Sequence, residues 1–392
     1  MIGGKPSTPH IYMIAGEESG DRLGAPLMQA LKRLTGGNIA FSGIGGEKMT
    51  GQGLNSLFSM DDLSVMGLAE VLPRIPRLIK RLNHVVADIR ELKPDVLVTI
   101  DAPDFSFRVA QRLSNTEVRR VHYVAPTVWA WRPGRAEKIS HFLDHLLTLL
   151  PFEPPYFERH GLACTYVGHP ILQNGADHGD GLAFRSERGI EDDTVLLAVL
   201  PGSRESEISL HLPVFAETVA RLHSDIPGLE VVIPTLAATQ CLVVKETRSW
   251  LIPVHLTNND DDKCSAFAAA NAALAASGTV ALELALAGTP AVISYKMAPL
   301  TGYLARRLVR TPYASLVNLI LNREAVPEYL LERCRADLLC DAVRQLIDQP
   351  DLQRAQKDAY FEALTLLGHN QFDPNARAAQ AVLNVLIPPS ID

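Results

Sequence analysis

Several short stretches of this chain set side chains at spacings that can do chemistry. In LPGSRESE (Leu200–Glu207), Gly202 allows a sharp turn, Ser203 is placed to cap a helix, and Arg204 follows at once. A guanidinium fork beside a helix N-terminus suits a diphosphate. The plainer reading is a capped turn with Arg204 paired to Glu205 or Glu207. In ASGTVALELALAGTP (Ala276–Pro290), Ser277, Gly278 and Thr279 form a loop whose free N–H groups can cradle phosphate where the next helix starts. Glu283 then falls about one turn inside a helix that is otherwise apolar. A lone carboxylate there costs energy unless it has a partner. Paired ribose hydroxyls would serve, and so would a neighbouring Arg.

Acidic groups cluster in two further places. IDAPDF (Ile100–Phe105) ends an apolar run with Asp101 and then Asp104, which follows Pro103 and is placed to cap a helix starting at Phe105. Two acids three apart could supply a general base, or both could be turn residues. GEESGD (Gly16–Asp21) brings Glu17, Glu18 and Asp21 to the end of the first apolar run, with Ser19 as the expected cap. Glu17 could contact a sugar hydroxyl or assist proton removal. APTVWAWRPGRAEK (Ala125–Lys138) sets Trp129 and Trp131 beside Arg132, Arg135 and Lys138. That mixture fits an amphiphilic, phosphate-bearing ligand; core tryptophans next to a solvated helix are the default. His169 in GHP has no neighbours at metal-ligand spacing, and Asp260–Asp262 reads as capping a helix near Ser265 rather than as a D-x-D metal motif.

These loops need strands to carry them. Unalternating apolar runs recur at His10–Ala15, Ile39–Ile44, Asp95–Ile100, Arg120–Val124, His145–Leu150, Val195–Leu200, Glu230–Ile233, Ala272–Ala276 and Pro290–Tyr295. Each is followed by a turn signal and a helical pattern, so the chain reads as βαβα with parallel sheets buried on both faces. The Gly- and Asp-rich stretch Asn174–Thr194 divides it. IYMIAGEESGDRLGAPLMQALKRL and LLAVLPGSRESEISLHLPVFAETVARL echo one another, which predicts two Rossmann-like domains over 1–174 and 175–350. Beyond about Pro327 only helices are expected, with 351–392 able to cross back to the first domain.

The 392 residues are 47% hydrophobic and 21% charged, which suits a folded protein of about two domains. A net charge of −7 gives no reason to expect nucleic acid as a partner. Five cysteines without a CxxC pair argue against a disulfide framework or structural zinc and fit a reducing compartment. The start has too short an apolar run for a signal peptide, so a cytoplasmic protein is expected. Ala266–Leu282 lacks charge but is broken by Asn271, Ser277, Gly278 and Thr279, and is too short and polar to span a bilayer. Neither G-x-G-x-x-G nor a P-loop is present, which sets dehydrogenases and P-loop NTPases aside. Val65–Ile89 carries a helical apolar stripe that includes Leu68, Leu72, Ile75, Leu82 and Val86, bent or split at Pro73 and Pro76. Arg77 and Lys80 fall mostly away from the stripe.

AGEESGD, SVMGLAEVL, IDAPDF, HYVAPTVWAWRPGR, LPFE, YVGHP, LPGSRESE, ASGTVALE and YASLVNLI, in this order, resemble the lipid-A-disaccharide synthases of glycosyltransferase family 19. The resemblance implies a GT-B fold of two Rossmann-like domains facing a cleft, with a helical C-terminal tail. It implies an inverting, metal-independent transfer with no cofactor. The donor would be UDP-2,3-diacylglucosamine and the acceptor 2,3-diacylglucosamine 1-phosphate, giving a β-1,6-linked disaccharide 1-phosphate and UDP. Carried over motif by motif, Arg204 with Ser203 contacts the diphosphate; Ser277, Gly278, Thr279 and Glu283 hold UDP, and Asn318 lies near the same nucleotide. Asp101 is the favoured base, with Glu17 beside it, while Ser19, Trp129, Arg132 and Arg135 face the acceptor. Acylated substrates also imply peripheral contact with anionic inner-membrane lipids at the cytoplasmic face through Leu68, Leu72, Ile75, Arg77 and Lys80. A homodimer is compatible with the same reading. A UDP-N-acetylglucosamine 2-epimerase, a peptidoglycan glycosyltransferase and a non-catalytic nucleotide-sugar or lipid-binding protein are the alternatives.

Overall fold

The computed structural model describes residues 8–63 and 68–386. Their contacts divide the chain into two compact units, 1–170 with 370–392, and 171–369.

The first unit is built on a seven-stranded parallel sheet. Its strands are β1 (His10–Ala15), β2 (Ala40–Ile44), β3 (Asn55–Ser56), β4 (Val96–Ile100), β5 (Arg119–Tyr123), β6 (His145–Thr148) and β7 (Ala163–Tyr166). They lie in the order β3-β2-β1-β4-β5-β6-β7. The central strands β1 and β4 are apolar on both faces, and Ile11 to Ile14, Val96, Leu97, Val98 and Ile100 have no exposed surface. Such strands need helices on both sides of the sheet. One layer includes helices Glu18–Leu34 and Pro374–Leu386, whose Ala378, Ala379 and Val382 join Leu27 and Met28 in one core. The other is led by helix Leu68–Leu92, which is held by Leu82, Val85, Val86 and Ile89 and by a 2.6 Å hydrogen bond from Tyr12 Oη to Asp88. That helix is continuous through Pro73 and Pro76, so it is not split there.

The second unit has a six-stranded parallel sheet of β8 (Leu196–Leu200), β9 (Glu230–Pro234), β10 (Val254–Thr257), β11 (Ala272–Ala276), β12 (Ala291–Tyr295) and β13 (Glu328–Leu330), in the order β10-β9-β8-β11-β12-β13. Strand β13 corrects the expectation of helices alone beyond Pro327; it pairs with β12 from Ile293↔Glu328 onward. Helix Pro350–Leu366 seals this sheet, with Gln356 bonding both the N–H and the carbonyl of Ala291. No described helix is long and apolar enough to cross a membrane.

Candidate functional site

In each sheet the strand order reverses between two neighbours, β1 and β4 in the first and β8 and β11 in the second. Open α/β sheets bind ligands outside the carboxyl ends of strands at such a switch point. The register sets the loops side by side: Ala15 lies opposite Ile100, and Leu200 opposite Ala275. GEESGD therefore leaves its sheet next to IDAPDF, and LPGSRESE next to the Ser277–Thr279 loop.

In the first unit these loops touch. A Cβ on Gly16 would stand 2.7 Å from the Cβ of Ala102, so the approach requires glycine. Asp101 and Ala102 both adopt left-handed backbone, with φ of 51° and 42°. Each such residue costs on the order of 1–3 kcal/mol. The turn is held by Asp101 N–H donating to the Tyr123 carbonyl and by Ser106 Oγ donating to the Asp101 carbonyl. It aims a partly exposed carboxylate at the start of the helix after β1, where Ser19 Oγ donates to Asp101 Oδ2 at 3.0 Å. The other oxygen, Oδ1, accepts nothing from the described residues, which leaves it open to a hydroxyl.

Several expected caps are corrected here. Ser19 is not the cap; Glu17 takes the N-cap position of helix Glu18–Leu34 with extended backbone. Asp21 is buried instead and accepts from the N–H groups of Gly46, Lys48 and Met49. The helix after IDAPDF begins at Pro103, with Ala102 as N-cap; Asp104 sits in its first turn, 3.3 Å from Arg135. Arg135 also lies 5.2 Å over the ring of Phe107.

The tryptophan segment has an anchor that sequence reasoning missed. Glu153 is 3% exposed; it accepts Trp129 Nε1–H on one oxygen and the N–H groups of Leu149 and Leu150 on the other. Burial pushes its carboxyl up to about 7 against those hydrogen bonds. Phe152 meets the Trp129 ring edge-on at 5.3 Å. The available signal was an acid inside the apolar LLPFEPPYF run. Trp131 and Arg132 are exposed and stacked, 4.2 Å from guanidinium to ring, with Arg132 at φ 54°.

In the second unit Gly202 stands at φ 119°, and a Cβ there would lie 2.6 Å from that of Glu207. Ser203 does not cap helix Glu205–Asp225. Arg204 holds the N-cap position, and Glu207 folds back to accept the N–H groups of Ser203 and Arg204 and an Arg204 guanidinium N–H at 3.2 Å. The pairing of Arg204 with Glu207 is thus the one adopted, yet the Arg204 side chain keeps 59% of its surface exposed. The open N–H groups are on the other loop, where those of Gly278 and Thr279 donate to no described residue. Ser277 is anchored by its hydroxyl to the Ala314 carbonyl and by its N–H to the Ser294 carbonyl.

Glu283 finds a lysine, not an arginine. Lys263 Nζ at 2.9 Å and Asn174 Nδ2 at 2.8 Å both donate to Oε1, leaving Oε2 without a described partner. Burial would lower the Lys263 pKa, but the carboxylates of Glu283 and Asp260 outweigh it and raise it. Lys263 belongs to helix Asp260–Ala269, which starts five residues before the expected Ser265. Asn259 caps it, and Asp260 and Asp262 pair with Lys263 and Arg188. Among the described residues no three His, Cys, Asp or Glu side chains are grouped to hold a metal ion.

Asn318 is bonded wholly within the fold. It has no exposed surface and no spare hydrogen-bonding capacity: its amide donates to the Val326 carbonyl and Glu328, and its oxygen accepts from Ala325 and Val326. Glu328 in turn accepts the N–H groups of Ala314 and Ser315. Asn318 therefore supports the stretch against which Ser277 is anchored.

The membrane stripe divides along its length. Leu82 and Val86 are core, while Ile75 and Ile79 are 39% and 46% exposed. Arg77 and Arg81 both pair with Asp62, whereas Lys80 is exposed with no described partner. The side chains of Leu68 and Leu72 lie outside the described residues, as does Val65.

Residues 11–384 match the sequence family described as lipid-A-disaccharide synthetase. A curated lipid-A-disaccharide synthase of Rhodospirillum centenum is 52% identical, over 96% of this chain and 94% of its own. That of Paramagnetospirillum magneticum is 46% identical over 96% and 97%. Among solved structures, a putative UDP-N-acetylglucosamine 2-epimerase from Listeria monocytogenes aligns with a TM-score of 0.61 at 14% identity, covering 95% of this chain and 94% of that one. MurG of Acinetobacter baumannii aligns at 0.56 and 14%, covering 96% and 99%. At that identity these two establish a common fold and nothing more.

Proposed function

The chain belongs to the lipid-A-disaccharide synthase family, glycosyltransferases of GT-B fold, and on that premise we propose that it joins UDP-2,3-diacylglucosamine to 2,3-diacylglucosamine 1-phosphate. The acceptor's 6-hydroxyl gives its proton to Asp101 while its oxygen attacks the anomeric carbon. The bond from that carbon to the diphosphate breaks, UDP leaves with the electron pair, and the configuration inverts to β-1,6. The carrying observation is the strained Asp101–Ala102 turn at the switch point, with one carboxylate oxygen on Ser19 and the other open. Glu17 stands on the adjoining loop as a second group for the acceptor.

The leaving UDP accumulates negative charge. Arg204 and the open N–H groups of Gly278 and Thr279 at a helix start supply positive potential for it. In this reading Arg204 exchanges Glu207 for the diphosphate, and Glu283 Oε2 takes the ribose. Trp129, Arg132 and Arg135 serve the acceptor's phosphate and acyl side. The exposed Ile75 with Lys80, together with Arg77, Leu68 and Leu72 along the same helix, makes peripheral contact with the cytoplasmic face of the inner membrane. The test incubates purified protein with both acyl sugars in detergent and follows UDP release and product mass. A disaccharide 1-phosphate formed one-to-one with UDP supports the reading. UDP without disaccharide, or neither, refutes it.

A further inference from the structure

Between Glu283 and Glu324 the sequence contains no acidic residue, and it carries Lys296, Arg306, Arg307, Arg310 and Arg323 in a chain of net charge −7. The second unit gathers three of these arginines at one helix end. Helix Pro299–Leu308 finishes with Arg306 and Arg307, and Arg310 follows just beyond it. Every residue from Arg306 to Arg310 is exposed. Among them Leu308 and Val309 keep 56% and 44% of their surface, and Tyr303, a turn or so earlier, keeps 47%. The Arg307 guanidinium lies 4.5 Å over the Tyr303 ring. Arg306 is paired with Glu332, while Arg310 has no acidic partner among the described residues.

We propose that Tyr303–Arg310 is a second membrane-contact surface, which rests against an anionic phospholipid bilayer. Adjacent Leu308 and Val309 can enter the headgroup boundary, and the tyrosine ring is amphipathic enough to sit at that depth. Arg307 and Arg310 then meet lipid phosphates, each adding about 1 kcal/mol near an anionic leaflet. The absence of acidic residues through this stretch matches a negatively charged partner. The choice of a bilayer over an acidic protein rests on the lipid-linked substrates proposed above. The helix Leu68–Leu92 contact belongs to the first unit, so each unit would carry its own.

The experiment sediments the full chain with phosphatidylcholine vesicles, with and without phosphatidylglycerol. In Arg307→Gln/Arg310→Gln, binding to the anionic vesicles should fall roughly thirty-fold, the equivalent of about 1 kcal/mol per arginine. Turnover of detergent-dispersed substrates should stay unchanged, since neither residue is in the proposed site. In Val309→Trp, emission should shift to the blue on anionic vesicles and not on neutral ones. Undiminished binding by the double variant, or no emission shift in Val309→Trp, overturns the proposal. A blue shift that grows with protein concentration and without vesicles also overturns it, by assigning the face to a second copy. Failure of wild-type turnover in detergent counts against the transfer reaction, while the vesicle results still decide this surface.

Discussion

Asp101 and Ala102 hold left-handed backbone that non-glycine residues adopt only at a cost, and four contacts over-determine it: Tyr123, Ser106, Ser19 and the close pass of Gly16. Ser19 is then a positioning residue for Asp101, the proposed base. Ser19→Ala should lower kcat roughly five-fold, the worth of one ordinary hydrogen bond of about 1 kcal/mol, with UDP affinity unchanged and Ser19→Thr restoring the rate. A change in KM for the donor with kcat intact would remove Ser19 from that role. Lys263 acts in the same way on Glu283. Lys263→Met should raise KM for the donor and barely change kcat, Lys263→Arg should recover it, and a loss confined to kcat would contradict the arrangement. Arg204→Ala should weaken UDP binding by about 1.5–3 kcal/mol in calorimetry; unchanged affinity would make Arg204 only a helix-capping partner of Glu207. The residue types at these sites were legible in the sequence, but their partners were not. Ser19 and Asp101 are 82 positions apart, and Asn174 and Glu283 are 109 apart. Local spacing offered Ser19 and Ser203 as caps, and the structure gives those N-cap positions to Glu17 and Arg204.

At the scale of elements, all nine central strands were legible as unalternating apolar runs. The four that were not, β3, β7, β10 and β13, are the outer strands of the two sheets. Being paired on one side only, they are short and partly exposed, as in ACTY of β7 and VHLT of β10, so they carry no buried-strand signature. Helix Leu68–Leu92 shows a second limit, since one apolar stripe serves two environments. Ile75→Ser with Ile79→Ser should leave the melting temperature nearly unchanged and lower binding to anionic vesicles. Ile89→Ser, at a site with no exposed surface, should remove about 1.5–3 kcal/mol of burial and lower the melting temperature. Equal destabilisation by both would place the whole stripe in the core. The tryptophan segment makes a pH prediction. With the Glu153 carboxyl raised to about 7 by burial, Trp129 emission should change with a midpoint near pH 7, and Glu153→Gln should abolish the change. A titration that persists in the variant would assign it to another group.

For the whole molecule, two sheets of similar order each present a pair of loops at a switch point, with the proposed base and acceptor groups on the first and the proposed nucleotide groups on the second. The presence of two similar sheets was legible in the strand–Gly loop–helix echo. The final helix was not legible to the same degree, because its alanine-rich face, Ala378, Ala379 and Ala381, gives little indication of which core it joins. Burial lowers the imidazole pKa of His122 to about 3 and of His169 to about 4. Both are below the unfolded value near 6.5, so the unfolded chain takes up protons first and stability declines as pH falls from about 6.5 towards 4. Glu153 opposes this between about 7 and 4.5, one group against two, and the net expectation is a melting temperature that falls between about pH 6.5 and 5. A rise over that range would contradict the burial of neutral imidazoles. The most direct measurement of the central claim pairs the initial rate of disaccharide formation by Asp101→Asn with its Kd for UDP. A basic carboxylate replaced by an amide of the same shape should slow transfer by about 10²–10⁴-fold while Kd stays within about two-fold of the wild type. Transfer within a few-fold of wild type would contradict the account and move the proton's acceptor to Glu17 or Asp104.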